Sequence, residues 1–367
     1  MFKRILIIFS VFASVCFKVC AAPPDISASC ACLADAVTGK IIYEYNASKR
    51  APMASTTKIM TAIVAIENGD LSDAVAVSDY AARQEGSSAY FSPGDKILLG
   101  EALYGLMLNS GNDAAAAIAE HIGGSVEGFT RLMNKKADEL GLYDTNFENP
   151  SGLDGQSHYT TAIDLAKLTS YALKNDVFRR IVGEKVHKTE YSSGCVYFTN
   201  HNKLLSGYDG CIGVKTGFTK KSGRCLVSAA QRGQTTLVCV TLRDGNDWAD
   251  HKALLDYGFE SAKIKTVVSK GDVLKKIKSS DGKYVSAVSA EDFSYSVWGD
   301  DKTQIILHTL PEIGDSINNG EKIGYFDVVS NEKIIKSIDI VSGDEYKAEK
   351  SVRKKLFHLL KNLRLSL

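Results

Sequence analysis

Strand-like patterns stand at both ends of a long helical stretch, and this arrangement limits the folds open to the chain. Residues 26–47, "ISASCACLADAVTGKIIYEYNA", read as a β-hairpin: an apolar strand, a "TGK" turn, then "IIYEY". From 54 to about 184 the pattern is mainly helical. It includes "LGEALYGLMLNSGNDAAAAIAEHIGG", two runs that meet at "NSGN", and "VEGFTRLMNKKADELGL", which Gly141 ends. "TAIDLAKLTSYALKN" is a further run. Strand patterns return from 195 with "CVYFTN", "CIGVKTGFT", "RCLVSAAQR" and "TTLVCVTLRDG", and "DWADHKALLDYGFESA" closes the region as a helix. An early hairpin can bury both faces only by joining the late strands, so the expectation is an α+β fold whose antiparallel sheet closes non-locally between helices. That region should end near 262.

From 266 to about 342 the texture changes to short alternating segments, among them "DFSYSVWGD", "TQIILHTL" and "KIGYFDVVS", separated by turn residues. This spacing predicts a small all-β sandwich. No internal repeat is evident. The chain of 367 residues is long enough for two such domains. Its start, "MFKRILIIFSVFASVCFKVCAA", has a basic end, an apolar core too short for a comfortable membrane span, and small residues last. The expected organisation is a cleaved export signal at 1–22, an α+β domain at 23–262, a β-sandwich at 263–345 and a terminal helix at 346–367.

The formal charge of +1 conceals an asymmetry, because residues 23–350 sum to −7 while the signal and the stretch 351–367 carry cations and no acid. A mildly acidic body argues against nucleic-acid binding and for one specialised end. In "SVRKKLFHLLKNLRLSL", Val352, Leu356, Leu359, Leu360, Leu363 and Leu367 share one helical face, opposite Lys354, Lys355, His358 and Lys361. A basic amphipathic helix of this kind lies in the plane of an anionic membrane rather than across it. The six cysteines beyond the signal (Cys30, Cys32, Cys195, Cys211, Cys225 and Cys239) show no metal-ligand spacing and read as small core hydrophobes. No metal or cofactor is expected.

"ASTTKIMTAIVAIENG" places Ser55 and Lys58 three positions apart at the start of an apolar helix. On one helical face an amine can lie beside a hydroxyl and take its proton, which is what a serine needs to become a nucleophile. S-x-x-K recurs at Ser280, Ser330 and Ser351, so the pair alone is weak, and Ser55 could merely cap the helix. Two further elements bear on it. "SGN", Ser110–Asn112, stands at a helix junction where both side chains can face a cleft. "KTG", Lys215–Gly217, occurs once, in a strand where glycine lets a substrate backbone approach closely.

The order S-x-x-K, S-x-N, K-T-G is the signature of penicillin-recognising acyl-serine enzymes. "ASTTKIMTA", "LNSGNDAA", "FENPSGLDGQSHYTTAIDLAKL", "GVKTGFT" and "LLDYGF" resemble the D-alanyl-D-alanine carboxypeptidases among the low-molecular-mass penicillin-binding proteins, over residues 26–262. The β region and basic tail match them in architecture. The resemblance implies a β-lactamase/transpeptidase-like catalytic domain and an exported enzyme held at the outer face of the cytoplasmic membrane. It implies removal of the terminal D-alanine from peptidoglycan stem peptides and covalent capture of β-lactam antibiotics. Ser55 would be the nucleophile and Lys58 its base, with Ser110 passing a proton to the leaving amine. Asn112 would orient Lys58 and the substrate amide. Lys215 and Thr216 would hold the substrate carboxylate, within a binding strand that also includes Gly217, Phe218 and Thr219. The backbone N–H groups of Ser55 and Phe218 would form the oxyanion hole.

Phe218 stands where many relatives have histidine, and Arg224 and Arg243 are candidates for an assisting arginine. His121, His158, His187, His201 and His251 read as structural or exposed, since this chemistry needs no imidazole. Glu148 and Asp154 fall in a segment that lacks the β-lactamase deacylating glutamate and reads as a structural turn. Competing expectations are a serine β-lactamase, a DD-endopeptidase and a non-catalytic wall-binding module on the same fold.

Overall fold

The computed structural model describes residues 22–191 and 194–348. The expected signal at 1–22 and the expected tail helix at 346–367 fall almost wholly outside the described residues. β1 (Cys30–Asp35) and β2 (Ile41–Tyr45) form the anticipated hairpin. Asp35 shapes its turn by accepting the Thr38 N–H at 2.8 Å, and Gly39 supplies a φ of +71°.

The helical stretch contains α1 (Lys58–Asn68), α2 (Asp79–Ala82), α3 (Leu99–Met107), α4 (Asn112–Gly123), α5 (Val126–Glu139), α6 (Ala162–Ala172) and α7 (Asp176–Gly183). A small ladder of β3 (Ala74–Ala76) and β4 (Lys96–Leu98) interrupts it. The Ser125 hydroxyl caps α5 by accepting from the Gly128 N–H, and Gly141 follows its end at φ +65°. The sequence reading resumes strands only at 195, yet β5 (Val186–Tyr191) already pairs with β6 (Gly194–Thr199). Lys188 and Glu190 lie exposed on β5 and blur its apolar period. This hairpin stands apart from the main sheet.

After α8 (Leu204–Gly207), the strands β7 (Cys211–Thr219), β8 (Gly223–Arg232) and β9 (Thr235–Leu242) run as an antiparallel meander, and α9 (Asp247–Ser261) packs behind it. The sheet order is β2-β1-β9-β8-β7, with Cys30 opposite Leu242, so the sheet closes non-locally as expected. β1 and β9 are buried along their whole length because both sheet faces are covered. Cys30, Cys32 and Ala34 enter the large core shared with α1, α4 and α6, while the alternate residues Ala31 and Leu33 pack on Leu254 and Leu255 of α9.

The rest is all β: β10 (Lys263–Val268), β11 (Val273–Lys278), β12 (Tyr284–Ser289), β13 (Phe293–Val297), β14 (Thr303–Thr309), β15 (Ser316–Ile317), β16 (Lys322–Ser330), β17 (Lys333–Ser342) and β18 (Tyr346–Lys347). A five-stranded sheet in the order β11-β12-β17-β16-β14 and the pairs β10-β13 and β15-β18 surround a separate core centred on Phe326, Val328, Ile338 and Ile340. β18 extends this folded region into residues that the sequence reading gave to the tail helix. Trp298 joins the two regions by entering the core against α9 and donating its indole N–H to Gly258 O at 2.9 Å. Lys40 pairs with Asp301 at 2.8 Å across the same junction.

Candidate active site

Ser55 sits in a 3-10 turn, Ala54–Thr57, that runs straight into α1. Three residues per turn eclipse positions i and i+3, which brings the Lys58 side chain under the Ser55 hydroxyl. Ser55 is not the helix cap, since Thr57 occupies that position and makes no side-chain cap bond. The Ser55 Oγ meets Lys58 Nζ instead, at 3.1 Å. Ala54 holds a left-handed φ of +47°, a conformation that costs a Cβ-bearing residue on the order of 1–2 kcal/mol. Hydroxyl bonds from Thr56 to Met53 O and from Thr57 to Ala54 O brace this turn.

Lys58 is fully buried, and its amine lies 2.7 Å from Asn112 Oδ1 and 2.6 Å from Ser151 O. Burial pushes its ammonium form well below the ordinary lysine range; the nearby Lys215 charge adds to the shift and Asp113 opposes it. A neutral amine has two N–H bonds and one lone pair. Asn112 Oδ1 and Ser151 O can only accept, so they take both hydrogens, and the lone pair is left facing the Ser55 hydroxyl. The Asn112 orientation is fixed because its Nδ2 donates to Glu85 O at 2.5 Å.

Ser110 and Asn112 occupy the junction of α3 and α4. Ser110 adopts a left-handed φ of +62° and is buried at the floor of the cleft. Asp113 holds the neighbouring loop: Oδ1 accepts from the Ala89 N–H at 2.8 Å, and Oδ2 accepts from the Phe91 N–H at 3.1 Å and the Ser88 hydroxyl at 2.6 Å. Opposite, β7 brings the "KTG" run against the 3-10 turn. A Cβ at Gly217 would lie 2.9 Å from Ser55 N and 3.1 Å from Thr56 N, so only glycine permits this approach. Lys215 is buried, donates to Thr216 O at 2.9 Å and is pushed down to about 7 by that burial.

A cleft of about 330 Å³ is lined by Ser55, Ser110, Thr216, Gly217 and Phe218 from the expected set. Lys58, Asn112 and Lys215 stand buried behind its wall. Thr219 is not among the lining residues; its hydroxyl donates to Asp154 Oδ1 at 2.9 Å. The sequence did not single out Ser87, Asp247 or Trp248, which also line the cleft, and it marked Cys225, a further lining residue, only as a core hydrophobe. His201 lines it too, although the sequence suggested no catalytic part for any histidine. Arg224 faces the cleft, held by Asp247 through bonds of 3.0 and 2.5 Å and lying over the Trp248 ring. Arg243 instead donates to Lys221 O, outside the cleft lining.

The "FENPSGLDG" segment is more than a turn, because Ser151 O touches Lys58. Its signal was Gly152, where a Cβ would meet Ala54 O at 2.0 Å. Neither Glu148 nor Asp154 lines the cleft. His158 accepts the Glu148 N–H at Nδ1, so Nε2 carries the proton toward Thr57 Oγ1; burial holds the ring down at about 4. His251 is likewise buried neutral, between Ser228 and Thr241. All six cysteines in the described residues are free thiols; four are buried as expected, but Cys195, on the β5–β6 hairpin that stands apart from the main sheet, is exposed and Cys211 is half-buried.

The family described as D-alanyl-D-alanine carboxypeptidase matches residues 18–246. The chain belongs to this family. Residues 263–348 match the C-terminal domain of penicillin-binding protein 5. The carboxypeptidase is 31% identical over 336 residues to D-alanyl-D-alanine carboxypeptidase DacF of Bacillus subtilis (strain 168), an alignment covering 87% of this chain and 86% of that one. It is 30% identical to DacC of Escherichia coli (strain K12), with 87% and 84% covered. Among solved structures, the Streptomyces K15 DD-transpeptidase superposes with a TM-score of 0.62 at 35% identity, covering 65% of this chain and 99% of its own. The carboxypeptidase DacD from Francisella tularensis superposes with a TM-score of 0.64 at 25% identity, covering 91% and 97%. The carboxypeptidase is thus a serine peptidase, and covalent penicillin binding is general for its family.

Proposed function

We propose that this carboxypeptidase removes the terminal D-alanine of peptidoglycan stem peptides through an acyl-Ser55 intermediate. The observation that carries the reading is the buried Lys58 amine, 2.7 Å from Asn112 Oδ1, 2.6 Å from Ser151 O and 3.1 Å from Ser55 Oγ, an arrangement in which a neutral amine aims its lone pair at the Ser55 hydroxyl. Ser55 Oγ attacks the carbonyl carbon of the penultimate D-alanine as its proton passes to Lys58 Nζ. The resulting oxyanion faces the backbone N–H groups of Ser55 and of Phe218, the residue after the Gly217 that lies against Ser55 N. The C–N bond then breaks, and the proton reaches the leaving D-alanine nitrogen through Ser110. Water completes the cycle: it adds to the ester carbon, gives a proton to Lys58, and Lys58 returns one to Ser55 as the second product departs.

Lys215 and Thr216 receive the substrate's terminal carboxylate, a group that an enzyme acting at a chain end must recognise. Arg224, already on the cleft wall, supports the same carboxylate in preference to Arg243. Phe218 and Trp248 offer flat apolar surface to the rest of the stem peptide. The enzyme acts outside the cytoplasm, with 351–367 resting on the anionic membrane surface. No helix of the described residues is long and apolar enough to cross a membrane.

The test is to incubate the protein with diacetylated Lys-D-Ala-D-Ala and measure free D-alanine, beside labelling by a fluorescent penicillin. Ser55→Ala should lose both signals together. Persistent labelling of that variant would place the nucleophile elsewhere.

A further inference from the structure

The five-stranded sheet of the second domain has two unlike edges. β11 carries Lys275, Lys276 and Lys278, the kind of charge that keeps an edge strand from pairing with another chain; Lys275 Nζ reaches Thr309 Oγ1 at the far end of β14 at 3.2 Å, and the end of β11 bonds Ile313. β14, "TQIILHT", has no Lys, Arg, Asp or Glu, and it exposes Ile305, Ile306 and Leu307 in succession. Ile305 and Leu307 are paired with Val328 and Phe326, so they continue the row of the domain core past its last covered strand. On the other face Ile306 is the apolar residue of a polar row: it stands opposite Asp327, which holds the His308 ring at 3.0 Å, and that ring stacks on Tyr325.

The backbone completes the picture. Leu310 N–H donates to Ile323 O and Asn331 N–H donates to Lys302 O, both in register with the β14–β16 ladder. In an antiparallel pair the bonded positions alternate, so Gln304, Ile306 and His308 turn their backbone groups toward β16. Thr303, Ile305, Leu307 and Thr309 turn theirs to the open edge, where no strand pairs with them among the described residues.

We propose that β14 pairs antiparallel with β14 of a second copy of this chain, about a two-fold axis through Ile306. The strand is self-complementary about that residue. Ile305 meets Leu307 of the copy, Gln304 meets His308, and Thr303 meets Thr309. The Ile305–Leu307 and Thr303–Thr309 pairs use the backbone groups that point outward, and Ile306 meets itself in a non-hydrogen-bonded pair. A strand offset by one residue would lose this match, because its outward groups would face positions committed to β16. No like charges oppose each other, and the exposed core row becomes continuous across two sheets. A closed two-fold contact of this type uses up the edge and stops at a dimer.

Engineered cysteines read the register directly. In the purified full chain in nonionic detergent, Ile306→Cys should form a 306–306 disulfide under mild oxidation, identified as the linked peptide by mass spectrometry. Ile305→Cys and Leu307→Cys should each fail to link to themselves but should link when mixed. Sedimentation should show a dimer at ~100 µM, a concentration that populates an association of micromolar strength. Ile306→Lys sets two cations against each other on the axis and should weaken the dimer at least tenfold, with D-alanine release unchanged. A wild-type monomer at that concentration, a dimer indifferent to Ile306→Lys, or cross-links mapping to another register would each overturn the proposal. Occupation of the edge by residues 349–367 of the same chain would appear as a monomer whose Ile306→Cys variant does not self-link, and would overturn it as well.

Discussion

Lys215→Met tests the reading that the cleft keeps a costly buried cation for the substrate's carboxylate. In the unfolded chain this lysine binds its proton up to the ordinary value of 10.5; in the folded protein burial lowers that to about 7. Between these values the unfolded state holds more protons, so folding stability rises with pH across this window. Above 10.5 the penalty vanishes, and below about 7 it is fully present. The span corresponds to about 5 kcal/mol, at 1.36 kcal/mol per tenfold change. Methionine has a similar shape and no charge, but it loses the bond to Thr216 O, worth about 1 kcal/mol. Lys215→Met should therefore be about 3–4 kcal/mol more stable near pH 6, shrinking to nothing or a slight loss by pH 10.5. For a domain of this size that raises the melting temperature by ~10 °C at pH 6. The assay is thermal unfolding of both proteins at several pH values, beside D-alanine release, which the variant should lose. A variant no more stable than wild type at pH 6, or an advantage independent of pH, would mean that burying the Lys215 charge costs the fold nothing.

Gly217→Ala should cut D-alanine release and penicillin acylation at least tenfold, because the added Cβ would crowd Ser55 N at 2.9 Å and push β7 away from Ser55. Circular dichroism should show the fold intact, and unchanged acylation would mean that the approach is not needed. Lys58→Met should block acylation, since Ser55 then has no base within 3.1 Å; acylation at the wild-type rate would place the base elsewhere. Deleting 351–367 should abolish sedimentation with anionic vesicles while D-alanine release from soluble peptide stays as it was. Continued sedimentation, once the signal is shown to be absent, would remove the tail from the anchoring role.

The local geometry of the candidate site was legible in the sequence because it is written in short spacings. Ser55 and Lys58 stand one turn apart, "SGN" interrupts two helical runs, and "KTG" places a glycine where a strand must come close. The apolar run at 26–35 likewise read as the first strand of a hairpin that must join the late strands; that Cys30, Cys32 and Ala34 face one core and Ala31 and Leu33 the other is decided by the structure. Other features exist only after distant segments meet. Ser151 O reaches Lys58 across 93 positions, and nothing local marks a backbone carbonyl as the acceptor that frees an amine's lone pair for a hydroxyl. Ser87, Trp248 and Asp247 face the cleft because the loop held by Asp113 and the start of α9 converge there. β5 escaped notice because exposed charged side chains hid its period. Spacing along the chain determines which side chains can act together within a turn or a strand. The descent of Lys58 and Lys215 from ordinary lysines to tuned ones depends on removal from water, and only tertiary packing removes them.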